Sequence, residues 1–283
     1  MSREYPNLKT ALDLSVGFLG VDGVEVDTGH WQGVPTEGHP DLVTKELLDW
    51  DFVCPLPVQS NGTVNIVDLQ EQVRPNLPWA DDHFEERVSR VPSNTGEQYQ
   101  NWPWWQGGYT EAKSMIPSQQ EGGEFKFTHT YQERIWPKLV NGSPWQCEQP
   151  IAHGIHYEYG DLDDVVNLLL REPYTRQAYL PIYFPEDTGS VHGGRTPCTI
   201  GYHFMLRGDE LHMWYTIRSC DAVRHFRDDV YLALRLQLWV LEALRTKEKY
   251  EFDHPEVWSS VRPGNFYFKA FSFHVHMGDI HRV

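Results

Sequence analysis

Nowhere in the 283-residue sequence is there a run of about 18 apolar residues, the length a helix needs to cross a bilayer, so no membrane span is expected. Cysteine is scarce: Cys54, Cys147, Cys198 and Cys220, with no CxxC spacing. That excludes a disulfide framework and the common zinc-binding patterns, and it points to reduced thiols in a cytoplasmic setting. Positive charge is also in short supply. Lys and Arg total 24 against 40 Asp and Glu, a formal charge of −16. A general nucleic-acid or membrane surface is thereby excluded, whereas a small anion held by a few arginines is not. The opening residues, MSREYPNLKT, lack the apolar stretch of a signal peptide. No internal repeat or low-complexity tract stands out.

What is present is the composition of an ordinary globular protein, 40% apolar and 23% charged. The length is ample for a sizeable core, and a single domain over residues 1–283 is expected. The richest stretch runs from Thr196 to Leu244. Apolar residues flanking Arg207-Gly208-Asp209-Glu210 predict a hairpin. Arg218-Ser219-Cys220-Asp221 is expected to form a turn, followed by a long, buried, apolar helix opened by Asp228-Asp229. A cysteine (Cys198), an arginine–serine pair and two carboxylates are thus gathered around one core element.

Elsewhere the spacing predicts helices over 5–19, over 41–50 (DLVTKELLDW, carrying Glu46) and over 161–171, where acidic residues open the helix and Arg171 closes it. Strands are expected over 178–184 and through 263–273. The Asp27-Thr28-Gly29 segment reads as a turn, and Pro185 to Arg195 as a glycine-containing loop. Val53 to Pro150 is rich in Pro, Trp, Asn and Gln with little periodicity. His274, His276 and His281 raise the question of a metal, but three ligands need a preformed, convergent site. No metal is expected.

Pro197-Cys198, the strand pair after it and Arg218-Ser219-x-Asp221 resemble the nucleophile and nucleotide-binding motifs of the thymidylate synthase superfamily. In that family a loop after the aspartate ends in an asparagine that reads uracil. Here the position is Asp229, behind Phe226-Arg227-Asp228, which is similar to the deoxycytidylate hydroxymethylases of phages. The resemblance covers residues 160–280 well and the first 110 thinly.

The resemblance implies an α+β fold: a thymidylate synthase-like single domain with a large mixed sheet, helices packed on one side, and a back-to-back homodimer with shared active sites. Apolar residues of 178–184 would be buried in that dimer. It implies Cys198 as the thiolate that adds to a pyrimidine ring, Glu46 as manager of protons around the pyrimidine, and Asp229 as the base-reading group. Arg218, Ser219 and Asp221 would bind the nucleotide, Arg176 the partner's phosphate, and His274 and His276 the sugar. The co-substrate would be 5,10-methylenetetrahydrofolate. Trp79-Ala80-Asp81 and Tyr99-Gln100-Asn101-Trp102 echo segments lining the family's folate site.

Departures from the pattern matter as much. Asp27-Thr28-Gly29 lacks the family's basic residue, Gln177 stands where a second arginine is usual, His225 replaces a glycine, and His276 replaces a tyrosine. The smaller ring at 276 leaves room for a 2′-hydroxyl, and relatives that take the ribonucleotide occur in nucleoside-antibiotic pathways. The sequence ends at Val283 without the long carboxy-terminal segment that closes over folate in thymidylate synthases, so water is the expected final acceptor. The expected activity is conversion of CMP, or dCMP, to its 5-hydroxymethyl derivative. The alternatives are a thymidylate synthase, a dUMP hydroxymethylase, or a catalytically silent nucleotide-binding relative.

Overall fold

Alternating burial along four long strands builds the centre of the molecule. The computed structural model describes residues 2–31, 34–94, 96–106, 119–121, 124–126, 129–141, 160–188, 196–251 and 257–283. Its strands are β1 (Arg3–Glu4), β2 (Val24–Val26), β3 (Thr44–Cys54), β4 (Tyr179–Pro181), β5 (Thr199–Arg207), β6 (Glu210–Asp221) and β7 (Arg262–His276). They form one seven-stranded mixed sheet in the order β1-β3-β7-β6-β5-β4, with β2 also on β3. β5 and β6 are the expected hairpin, paired Glu210 with Arg207 at a turn where Gly208 has a φ of 60°, a conformation that glycine adopts without a Cβ clash. β6 and β7 run parallel, which places Asp221 beside His274 in register.

On β6 the residues Leu211, Met213, Tyr215 and Ile217 are fully buried, and their alternates His212, Trp214 and Thr216 are partly exposed. The buried set faces the helices α1 (Leu8–Asp22), α2 (Ile66–Val73), α3 (Trp79–Val88), α4 (Leu162–Arg171) and α5 (Phe226–Glu251). α5 is the 26-residue core helix anticipated from the Leu/Val run, and it touches α2, α3, α4, β6 and β7. Its first residue, Phe226, meets the rings of Phe52, Phe268 and Phe273 at 4.7–6.3 Å. Truncating a ring so enclosed costs about 3–5 kcal/mol. α4 begins with a capping box between Asp161 and Asp164, satisfying backbone N–H groups the helix itself cannot. Among the described residues no helix is long and apolar enough to cross a membrane.

Three local expectations are corrected. Residues 44–54 form β3, not a helix: Trp50, Phe52 and Cys54 alternate into the core, and pairing to β7 along ten residues overrides the helical spacing of Glu46-Leu47-Leu48. Arg218-Ser219-Cys220-Asp221 is the extended end of β6, and the turn comes after it. Along 178–184 only Tyr179–Pro181 is strand, and Ala178, Leu180, Ile182 and Phe184 are already buried within the chain. The residues this segment leaves for a partner are therefore Tyr179 and Tyr183. On the same uncovered sheet face Trp214 and Tyr267 stack at 4.2 Å, and Leu48 and Phe271 are exposed.

Candidate active site

The amino-terminal end of β5 and the carboxy-terminal ends of β6 and β7 meet at the start of α5. Cys198 lies just before β5, partly exposed and reduced. Arg218 fastens that segment: its backbone N–H donates to the Cys198 carbonyl at 2.8 Å, and its Nε donates to the Pro197 carbonyl at 2.9 Å. Its Nη2 donates to both oxygens of Thr196 at 3.1 Å and stands 3.9 Å from the Cys198 sulfur. One guanidinium therefore sets the position of the thiol and puts a positive charge beside it.

Asp229 lies in the first turn of α5, partly accessible yet surrounded by protein. Burial pushes its carboxyl up to about 7, with Asp228 and Asp221 adding to the rise and Arg87 opposing it. Cys220 ties the site together. This fully buried thiol, pushed up by burial, feels the charges of Asp229, Asp221 and Cys198. Behind it, Thr199 Oγ1 joins the hydroxyls of Tyr131 and Tyr215 at 3.1 Å each, and the Tyr202 and Tyr215 rings stack at 5.1 Å.

A second group of polar side chains closes one end. Asp221 accepts from the backbone N–H groups of Val223 and Arg224 at 2.9 Å. Its other oxygen lies 3.7 Å from Arg224 Nε and 3.9 Å from His276 Nε2. Burial raises the Asp221 carboxyl, but His274, Arg224, His225 and His276 together pull it below its ordinary value. Burial lowers both imidazoles, His276 to about 4. His276 Nδ1 sits 3.2 Å from the Leu42 carbonyl, so Nδ1 carries the proton and donates, leaving the Nε2 lone pair facing Asp221. Trp31 packs edge-on against His276 at 5.6 Å.

The ligating atoms of Asp221, His274 and His276 lie within 4.8 Å of one another. Arg224 opposes a dication there, since its fixed charge faces the same Asp221 oxygen. His281 is exposed and stands outside this group.

Of the residues singled out from the sequence, Cys198, Arg218, Asp221, Asp229, His274 and His276 converge. Ser219 is on β6 between Arg218 and Cys220, in register with Ser272. Glu46 is displaced from its expected place. It sits on β3 opposite His274, and Ser272 Oγ donates to its Oε2 at 2.5 Å. A strand rather than the expected helix carries it, and the same Ser272 hydroxyl lies 3.4 Å from His274 Nδ1, so Glu46 borders the His274 side of the site. Arg176 is exposed beside β5, its carbonyl 3.0 Å from His203 Nε2, on the uncovered side of the sheet. Asp27 Oδ1 accepts from Gly29 N–H and Thr36 Oγ1 within its turn. Cys147 and the glycines of 189–194 lie outside the described residues, as does much of the folate-like stretch.

Sequence reasoning missed two groups, Arg87 and the Arg224–Asp279 pair. Arg87 is buried among Ala80, His83, Phe84 and Val88 on α3, and a charge on an apolar helical stripe was the available signal. Arg224 and Asp279 form a buried pair, Nε to Oδ2 at 2.7 Å, across 55 residues, which no local pattern announces. Trp102 stacks on His225 at 4.5 Å and 9°, and Arg282 covers Trp104 at 5.0 Å. These rings form an aromatic wall beside the loop that leads into Asp229.

This architecture is the fold of the thymidylate synthases. The chain superposes over 97% of its length on the thymidylate synthase of T4 phage and on the thermostable thymidylate synthase A of Bacillus subtilis, with TM-scores of 0.56 and 0.58. Identity is 14% and 13%, and the match spans 78% and 82% of those chains. No protein-family model matches the sequence, and no curated protein matches it.

Proposed function

We propose that this protein is a pyrimidine nucleotide C5-hydroxymethyltransferase acting on CMP or dCMP, with 5,10-methylenetetrahydrofolate as co-substrate. The observation that carries the reading is Asp229, a partly accessible carboxyl raised to about 7 in the first turn of α5, which acts on the same buried Cys220 as the arginine-flanked thiol of Cys198. Cytosine offers an amino donor at N4 and a bare acceptor at N3. A carboxyl group that titrates near 7 accepts from the amino group through one oxygen and shares a proton with N3 through the other.

Carbon 5 of the ring is a weak nucleophile until the conjugation is broken. The Cys198 thiolate, favoured by the adjacent Arg218 charge, bonds to carbon 6, and Asp229 supplies the proton that N3 takes up as that bond forms. Carbon 5 then carries the electron pair that bonds to the one-carbon unit. The bound folate supplies that unit as an electrophile. Loss of the carbon 5 proton breaks the bond between the transferred carbon and the folate nitrogen, releasing tetrahydrofolate. Water then adds to that carbon, N3 returns its proton to Asp229, and departure of the Cys198 thiolate restores the aromatic ring. The net change is insertion of one CH2O unit. The Trp102–His225 and Trp104–Arg282 contacts provide the flat aromatic surface that a pteridine requires.

At the sugar end, His276 Nε2 and the Asp221 carboxylate are two acceptors facing each other at 3.9 Å. A ribose 2′,3′-diol supplies one O–H donor for each of them, and the compact imidazole leaves room for the 2′-hydroxyl. A ribonucleotide is therefore preferred. Arg176, on the uncovered sheet face, serves the partner's phosphate in a homodimer built on that face.

The alternative reading, a thymidylate synthase or dUMP hydroxymethylase, rests on the fold of the two similar structures. Incubating the protein with CMP, dCMP and dUMP plus methylenetetrahydrofolate and weighing the products separates the two. Gain of CH2O on cytidylate supports the proposal. Gain of CH2 or CH2O on dUMP alone refutes it. Absence of carbon 5 tritium release from any nucleotide identifies a catalytically silent relative.

A further inference from the structure

Arg224 follows the end of β6 that carries Asp221 and is only 5% exposed. A guanidinium does not shed its charge, so a buried one must be met by acceptors and counter-charge. Two carboxylates flank it, and they are not used alike. Asp279 takes the hydrogen bonds: Arg224 Nε and Nη2 both donate to its Oδ2, at 2.7 and 2.5 Å. Asp221 Oδ2 stands 3.7 Å from the same Nε, beyond hydrogen-bond reach. That nitrogen carries one hydrogen, and the hydrogen is spent on Asp279.

Asp279 is itself fixed. It lies in the 3₁₀ helix Met277–Arg282, buried, with Arg282 Nε 3.5 Å from its other oxygen. The start of that helix is docked by the Met277 N–H, which donates to the Val43 carbonyl at 2.8 Å. Gly278 packs so closely on Asp41 that an added Cβ would lie 3.1 Å from the Asp41 Cβ. On the Asp221 side, Oδ1 is filled by the N–H groups of Val223 and Arg224. Among the described residues no donor comes within hydrogen-bond reach of Oδ2, which faces the bare Nε2 of His276.

We propose that Asp279 is a positioning residue of the sugar subsite: it holds the Arg224 guanidinium off Asp221 and so keeps Asp221 Oδ2 open for a hydroxyl of the ligand. The proposal rests on the reading of Asp221 and His276 as the acceptors that meet the ribose. Arg224 then supplies charge beside Asp221 without consuming its acceptor. Without Asp279, a shift of about 1 Å brings Nε into hydrogen-bond distance of Asp221 Oδ2. The charge-assisted bond so formed is the stronger one and displaces the sugar hydroxyl.

The test combines crystal structures of substrate-free variants with calorimetric binding of CMP. In Asp279→Ala, Arg224 Nε should come within hydrogen-bond distance of Asp221 Oδ2, and the CMP dissociation constant should rise about tenfold or more. KM should rise in step while kcat stays near wild type, a split that general loosening of the fold does not produce. Adding Arg224→Met to Asp279→Ala removes the intruding guanidinium and should return the affinity most of the way to wild type. Asp279→Asn keeps one acceptor and should show the same changes by less. It decides the matter, beside the double variant, should Asp279→Ala fail to fold. An Arg224 that stays clear of Asp221 in the single variants, or an affinity loss that Arg224→Met does not relieve, overturns the proposal. Arg224 seated on Asp221 with CMP affinity unchanged refutes the sugar reading and leaves the role of Asp279 standing.

Discussion

Replacing Asp229 by Asn exchanges a carboxyl for an amide of the same shape and makes two separate demands on the reasoning. The first concerns stability. Burial raises this carboxyl from 3.8 to about 7, so the folded protein binds a proton that the unfolded chain has released at any pH between those values. Stability from this group is therefore full below 3.8, falls as pH rises toward 7, and stays lost above it. The displacement corresponds to roughly 4 kcal/mol. Asp229→Asn carries no such penalty. Urea unfolding of the two proteins from pH 4 to pH 8 should show the variant gaining relative to wild type as pH rises, by as much as about 4 kcal/mol at the alkaline end. The second demand concerns specificity. The amide has no acidic proton to deliver to N3 as the thiolate adds, a loss of about 10²–10⁴ in rate. kcat/KM for cytidylate should therefore fall by at least about a hundredfold, while uracil nucleotides gain. A stability difference independent of pH, or an Asn variant that keeps cytidylate activity, would refute the reasoning.

Cys198→Ala should abolish both hydroxymethylation and tritium release from carbon 5 while leaving the melting temperature near wild type, since the sulfur is only partly buried. Asp279→Ala removes the carboxylate that both Arg224 Nε and Nη2 donate to and should cost about 3–5 kcal/mol in chemical denaturation. Asp279→Asn should recover part of that loss. A heterodimer of Arg176→Ala and Cys198→Ala chains should regain one working site if the phosphate arginine acts across the subunit boundary, and none if it acts within its own chain.

The hairpin and α5 were legible because their burial follows the two simple periods, alternation in β5 and β6 and a nearly continuous apolar run in α5. β3 was not, because Glu46-Leu47-Leu48-Asp49-Trp50 has the apolar spacing of a helical turn. Only its place between β7 and the β1/β2 edge decides for a strand. The local nature of the Cys198, Arg218 and Asp221 motif let it be read within one hairpin. Arg87, Asp279 and Leu42 reach the site from 55 or more residues away in sequence from the groups they serve, and nothing in their immediate neighbours says where they point. Glu46 shows the converse hazard: a plausible local match placed it on the wrong kind of element.

The most direct measurement is the mass of the intact protein after incubation with 5-fluoro-CMP and methylenetetrahydrofolate, followed by peptide mapping. Fluorine at carbon 5 cannot leave as a proton, so the reaction should halt with nucleotide and folate both attached through Cys198. That adduct should form with the cytosine analogue and not with its uracil counterpart. A stable adduct formed only with 5-fluoro-dUMP, or one mapped to a different residue, would contradict this expectation.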